Sequence, residues 1–293
     1  MKSVDRRDFL KLSGMAGVTF TAGLFPGYQA SAQAGGDFHF IQISDTHWGY
    51  KGPANPDAEH TLEKAIVTVN GLAQKPDFIV FTGDLTHTTE DGAERRARMK
   101  RFKEIVSALN VKDVRFLAGE HDAALDKGAA FKEFFGATYY TFDHKGVHFI
   151  ALDNVSDPGA KLGDEQLAWL AADLKQRKAD DRIVVLTHRP LFDLVPNWDW
   201  ATADGAKAID LLMPYKNVVV FYGHIHQEND HMTGHIAHHA AKSLIFPQAA
   251  PGNAPKRPPP PPFDASLKPL GTRDVAMSSA KAPVIIELPV TKA

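Results

Sequence analysis

The feature that most constrains this chain is a set of short runs of apolar, largely β-branched and aromatic residues that recur between stretches of helical periodicity. Phe38–Ile43, Phe78–Thr82, Val114–Leu117, Ile183–Thr187 and Val218–Tyr222 lack the in/out alternation of a strand with one wet face. They read as strands buried on both sides. Helical patterns run over Asp57–Ala73 and Gly92–Leu109, and a third opens at Asp164. In that third helix Leu167, Leu170, Ala171 and Leu174 share one face, with Asp164 as the expected N-cap. Thr141–Phe142 and Val147–Leu152, separated by Asp143-His144-Lys145-Gly146, predict a hairpin. Strands alternating with helices specify an α/β fold, a sandwich layered with helices outside.

Five of these strands run straight into acids and histidines. The motifs are Ser44-Asp45-Thr46-His47, Gly83-Asp84-Leu85-Thr86-His87, Gly119-Glu120-His121-Asp122, Thr187-His188-Arg189-Pro190 and Gly223-His224-Ile225-His226. Ligands of open α/β sheets gather beyond the carboxyl ends of the strands, so the five loops are expected to converge. One such motif alone is usually a capped turn or a satisfied core histidine. Five in succession, each ending a strand, are a site. It offers only carboxylate oxygens and imidazole nitrogens, since the chain has no cysteine. That donor mixture suits divalent or mixed-valence Mn, Fe or Zn, and not the thiolate chemistry of copper(I) or iron–sulfur clusters. The ligands outnumber the needs of one ion. Two ions sharing a carboxylate clamp the attacking and leaving oxygens of a phosphoryl displacement.

The order D-x-H, G-D, G-N-H-[DE], H, G-H-x-H is that of the calcineurin-like metallophosphoesterase superfamily, and the chain resembles it from about Phe38 to Gln227. The spacing and the Gln after the last motif look most similar to the class III cyclic nucleotide phosphodiesterase branch. The resemblance implies a fold of two mixed β-sheets packed as a sandwich and flanked by helices. It implies that Asp45, His47 and His226 bind one metal, that His188 and His224 bind the other, and that Asp84 bridges them. It makes His121 the histidine that stabilises the transition state or protonates the leaving group, with Asp122 orienting its ring. A metal-bridging hydroxide would attack phosphorus in a small phosphodiester or phosphomonoester. One position departs: Glu120 stands where the family has Asn, so the second metal would gain a charged ligand. A member that binds metal or phosphate, or docks a partner through its Pro-rich loop, without turnover is the rival reading.

Other residues carry weaker expectations. Arg189 is a candidate phosphate contact because its planar fork suits phosphate oxygens, with a structural ion pair as the alternative. His87 could face substrate, with an ordinary loop histidine as its alternative. Trp198 and Trp200 either wall the pocket or pack beneath their loop. His231, His235, His238 and His239 are expected to be solvated. Residues 247–271, with the run Pro258–Pro262, predict an irregular loop, and Val284–Leu288 a returning strand.

Residues 1–32 carry Arg6-Arg7, an apolar stretch from Leu12 to Phe25 and Ala30-Ser31-Ala32, which together resemble a twin-arginine export signal. The expectation is delivery by the twin-arginine machinery to the periplasm or beyond, with a phosphoesterase domain over 33–293. The stretch is too short and too rich in Gly and Thr for a stable membrane anchor. A formal net charge of −2 gives no electrostatic footprint for nucleic acid.

Overall fold

The buried runs pair into two mixed sheets that face each other through a layer of aromatic side chains. The computed structural model describes residues 36–290 apart from Asn253, Leu267 and Ala280; the expected export segment lies outside these. Its strands are β1 (Phe38–Ile43), β2 (Phe78–Thr82), β3 (Val114–Leu117), β4 (Tyr140–His144), β5 (Val147–Ala151), β6 (Arg182–Leu186), β7 (Asn217–Tyr222), β8 (Asn229–Thr233), β9 (Ile236–Ala240), β10 (Gly271–Ser278) and β11 (Lys281–Pro289). The first sheet has the order β11-β10-β1-β2-β3 and the second β4-β5-β6-β7-β9-β8. β1, β2 and β3 are mutually parallel, as are β5, β6, β7 and β9. Parallel neighbours need crossover connections, and most of these carry helices: α1 (Ala58–Asn70), α2 (Gly92–Val106), α5 (Gly163–Leu174) and α6 (Gly205–Leu212), while α3 (Glu120–Ala123) and α4 (Ala129–Phe135) lie on the passage from the first sheet to the second.

Three apolar clusters define four layers. Ile41, Ile43, Ile79 and Phe81 on the outer face of the first sheet pack on Leu62 of α1 and on Met99 and Phe102 of α2. Ile183, Val185, Val218 and Val220 on the outer face of the second sheet pack on Leu170 and Leu174 of α5 and Leu212 of α6. Between the sheets, Phe40, Phe78 and Val80 meet Phe149, Val184 and Phe221. Each central strand therefore buries both faces, which is why its sequence shows no polar alternation. The expected sandwich of two mixed sheets flanked by helices is the fold observed.

Three local expectations change. α5 does not use Asp164 as its cap: the carboxylate of Asp204, from the loop before α6, accepts hydrogen bonds from the amides of Leu162 and Gly163 at 2.8 and 2.9 Å. Asp164 lies in the first turn, almost fully exposed, 3.6 Å from Lys207. A distant carboxylate satisfies the helix end, so the local one is free for solvent. β10 was hidden because its sequence carries Arg273 and Asp274, both buried. Arg273 donates to Glu287 of β11 at 2.6 and 2.8 Å, and Asp274 lies 2.9 Å from Nδ1 of His39. Buried charges are tolerated there because each is paired. The returning strand is longer than expected, Lys281–Pro289 rather than Val284–Leu288.

Phe40 is the keystone of the inter-sheet layer. Its ring stacks on Phe78 with centroids 5.0 Å apart and meets Phe149 and Phe221 edge-on at 5.9 and 5.7 Å. Phe40→Ala should cost about 3–5 kcal/mol of stability, read as a lower denaturant midpoint. A loss below about 1 kcal/mol would show that the two sheets do not depend on this layer.

Candidate metal centre

All five motifs follow the carboxyl ends of parallel strands, three in the first sheet and two in the second. The sheets face each other, so the loops after β1, β2 and β3 meet those after β6 and β7 at one edge of the sandwich. Bringing short side chains together there requires sharp turns. Asp45, His47, Asp84, His224 and His226 all have positive φ, between 41° and 65°. They are five of the eight non-glycine residues so placed among those described. Such backbone is costly for residues with a Cβ and persists where the surroundings over-determine it. Two glycines permit the approach: a Cβ on Gly119 would collide with the Asp84 carboxylate, and one on Gly223 with Ser44 Oγ.

The ligand atoms fall into two overlapping groups, each within 4.8 Å. Asp45, His47, Asp84 and His226 form one; Asp84, Glu120, His188 and His224 form the other. Asp84 belongs to both. Its Oδ2 lies 3.4 Å from Nε2 of His47 and 3.3 Å from Nε2 of His188. In the first group Asp45 Oδ1 lies 3.3 Å from His226 Nε2. In the second, Glu120 spans two imidazoles, Oε2 at 2.9 Å from His188 Nε2 and Oε1 at 2.9 Å from His224 Nδ1. Six of the seven side chains are buried and Glu120 is partly so.

Backbone carbonyls aim the imidazoles. His188 donates from Nδ1 to the Thr82 carbonyl at 2.7 Å, and His226 from Nδ1 to the Phe246 carbonyl at 2.8 Å. Each thereby turns Nε2 into its group. His224 is reversed: Nε2 approaches the Asp199 carbonyl at 3.3 Å and Nδ1 faces Glu120. Carbonyl acceptors of this kind fix the tautomer and orientation of metal-ligating histidines.

The residues fit a pair of cations. Glu120 Oε2, His188 Nε2 and His224 Nδ1 are buried without a partner in hydrogen-bond geometry, a costly state unless a ligand faces them. Around Glu120 and His188 the field also favours positive charge. Burial raises the Glu120 carboxyl, but His224 and His188 outweigh it and hold the group well below its usual range. Burial lowers His188, yet Asp84 and Glu120 hold its imidazole well above. Asp45 is kept low by His226 and His188 against burial. Burial, then His121 and His226, push His47 well down.

The sequence profile of the calcineurin-like phosphoesterase family matches residues 38–228. The chain belongs to that family. It is 28% identical over 207 residues to a probable glycerophosphodiester phosphodiesterase, GpdQ, of Arcobacter nitrofigilis, covering 64% of this chain and 71% of the relative. It is 30% identical over 227 residues to the 3',5'-cyclic adenosine monophosphate phosphodiesterase CpdA of Pseudomonas aeruginosa, covering 73% and 78%. Among solved structures, a dimetal phosphatase from Danio rerio superposes with a TM-score of 0.59 at 15% identity, over 87% of this chain and 99% of the other. A purple acid phosphatase from yellow lupin seeds gives 0.64 at 14% identity, over 87% and 52%.

In this calcineurin-like phosphoesterase one expected contact is replaced. Asp122 does not orient the His121 ring. Its carboxylate points the other way, accepting from the amides of Leu85, Thr86 and Gly119 at 2.9 Å and from the Thr86 hydroxyl at 3.0 Å. It ties the Asp84 loop to the Gly119 turn. Burial and then Asp84 raise its carboxyl to about 6, against these donors. Thr88 does what Asp122 was expected to do: its amide donates to His121 Nδ1 at 3.2 Å and its hydroxyl lies 2.6 Å away. His87 stacks on His121 with centroids 4.9 Å apart, and its Nδ1 lies 3.3 Å from His47 Nδ1. Burial, then His121 and Arg98, lower His87 to about 4. Arg189 forms the ion-pair alternative, with Nη2 at 2.6 Å from Asp199 Oδ1 and Nε at 3.2 Å from the Ala201 carbonyl.

Trp198 and Trp200 are buried beneath their loop in the outer core of the second sheet. His238 is fully buried against Phe192 rather than solvated. On the β8–β9 hairpin it stands opposite His231, while His239 pairs with Asp230 at 2.6 Å. Thr82, Thr88, Asp199 and Phe246 were not anticipated as holders of the site. Backbone carbonyls leave no mark in sequence, and only the Thr88 side chain could have given a signal.

Asp84→Ala should lose at least one of about two ions bound per chain, measured by elemental analysis of purified protein. One ion or none in the unaltered protein would exclude the paired arrangement.

Proposed function

We propose that this chain hydrolyses phosphodiesters, with Asp45, His47 and His226 holding one divalent ion, Glu120, His188 and His224 a second, and Asp84 both. The observation that carries the reading is the pair of ligand groups sharing Asp84 Oδ2, with three buried donor atoms left unsatisfied on the Glu120 side. Glu120 turns into the group instead of pairing with Arg189, and the phosphodiesterase relatives favour turnover over the rival, a member that binds metal or phosphate or docks a partner without turnover. Oxygen and nitrogen donors without sulfur support Mn, Fe or Zn. Bound there, two such ions supply a nucleophile at neutral pH and neutralise charge on the phosphoryl oxygens.

The chain's own residues complete the chemistry. With the Thr88 amide donating to Nδ1, the neutral His121 ring carries its proton on Nε2, 4.0 Å from Asp84 Oδ2 and facing the site. That N–H is placed to donate a hydrogen bond to the negative charge developing on the departing oxygen. His121 is fixed from its backbone as well, its amide donating to Asp84 Oδ1 at 2.9 Å. Asp122 acts through others, holding the loops that present Asp84 and Glu120. The names of the phosphodiesterase relatives support diesters as the substrate class.

Export is part of the proposal. The order of Arg6-Arg7, apolar stretch and small-residue cleavage pattern supports delivery to the periplasm in folded form, which favours an extracytoplasmic diester over a cytoplasmic cyclic nucleotide. Among the described residues no helix is long and apolar enough to cross a membrane.

Purified protein loaded with Mn or Zn should hydrolyse a chromogenic phosphodiester. His121→Ala should keep its metals and lose about a hundredfold or more in turnover; undiminished turnover on esters with poor leaving groups would remove His121 from the mechanism. Replacing Arg6 and Arg7 with Lys should leave precursor in the cytoplasm on cell fractionation, and normal delivery of that variant would exclude the twin-arginine route.

A further inference from the structure

A cavity of about 330 Å³ opens beside the second ligand group, and Glu120, His224, Arg189, Asp199, Asp157 and Arg257 supply its charged and ionisable lining. Among the described residues no Phe, Tyr or Trp lines it. Its charges are nearly all matched. Glu120 faces His188 and His224, and Arg189 pairs with Asp199. Asp157 lies 3.8 Å from Lys161 and accepts from the Gly159 amide at 2.7 Å. Arg257 is the exception: among the described residues its guanidinium has neither a hydrogen bond nor an ion pair.

Arg257 comes from the Pro-rich segment, and that segment is fastened to the site. The Gln227 side-chain amide donates to the Ala249 carbonyl at 3.2 Å, and Trp198 Nε1 to the Ala254 carbonyl at 2.9 Å, three residues before Arg257. Upstream, the Phe246 carbonyl receives His226. Prolines at 255 and 258–262 restrict the backbone on both sides of Arg257 and lower the entropy lost in holding it over the cavity. A guanidinium without a partner among the described residues, on a stiffened strap and lining the same cavity as Glu120 and His224, is suited to receive an anion that arrives with the substrate.

Resting on the phosphodiesterase reading, we infer that Arg257 selects diesters in which one ester arm carries a second anionic group, a carboxylate or phosphate. The reacting phosphodiester lies at Glu120 and His224, and the charged arm extends through the cavity to the guanidinium.

The test uses full-length mature protein and three 4-nitrophenyl phosphodiesters whose other arm is ethyl, 2-carboxyethyl or 4-carboxybutyl. The leaving group and the bond broken are the same in all three. The unaltered enzyme should show a higher kcat/KM, through lower KM, for at least one carboxylated ester than for the ethyl ester. Arg257→Gln should reduce that value about tenfold or more, leave the ethyl ester within about twofold, and keep the metal content unchanged; Arg257→Lys should retain part of the preference. Equal losses on charged and neutral esters, or no preference in the unaltered enzyme, would overturn the inference while leaving the hydrolase intact. Failure to hydrolyse any of the three with metal present would overturn the hydrolase reading and this inference with it.

Discussion

Three carboxylates and four imidazoles crowd into two groups whose donor atoms lie within 4.8 Å, and the rest of the structure is arranged around that congestion. Desolvated acids repel one another and lose their water, so the cluster is unfavourable by itself. Cations make it favourable, and the local geometry is what a chain must adopt to surround them. Five left-handed backbone positions and the glycines at 119 and 223 belong to this requirement. Helix or strand geometry could not present donors from consecutive loops to a common point at such short range. The strained ligand positions lie at the edge where the strands end, and the parallel pairings behind them keep a regular register.

The two sheets are joined most closely where the cluster needs them. Thr82, the last residue of β2, accepts from His188 of the opposite sheet, and Gln42 of β1 donates to the Tyr222 carbonyl at the end of β7 at 3.2 Å. The His224 amide donates to both oxygens of Asp45 at 3.1 and 3.2 Å. These contacts cross the same interface that Phe40, Phe78, Phe149 and Phe221 fill further in. Apolar packing sets the spacing of the sheets, and the polar crossings set their register at the edge. A shift of either sheet would move one half of each ligand group against the other.

How much of this could be read in the sequence depends on how local the determinant is. The central strands and all seven candidate ligands were legible, because a buried run followed by a short acid–histidine motif is a property of adjacent residues. β10 was not, since the pairing of Arg273 with Glu287 and of Asp274 with His39 makes a polar segment suitable for a core only once the partners are known. The same limit explains Asp122, whose position after His121 suggests an imidazole partner while its carboxylate is claimed by amides from the preceding strand loop. It explains Asp204 capping a helix that begins 41 residues earlier in the chain, at Gly163. His238 was read as solvated together with His231, His235 and His239; Phe192, distant in sequence, covers it.

Glu120, at the position where the motif leads one to expect Asn, changes the charge of the ligand set. Its two oxygens face different imidazoles at the same 2.9 Å, so it fills the place of an amide while adding a negative charge. Together with Asp45 and Asp84, it would leave one positive charge on a pair of divalent ions where an amide would leave two. A centre with less surplus charge attracts a phosphate dianion less strongly and discriminates less against a diester monoanion. Charge taken from the centre has to be supplied elsewhere if the substrate is multiply anionic. Arg257 lines the same cavity as Glu120, without a partner among the described residues, on a segment held by Trp198 and Gln227. Separating the cation that recognises the arm from the ions that act on phosphorus lets binding energy be applied away from the reacting bond, where it can orient a diester without stabilising the phosphate group in its ground state.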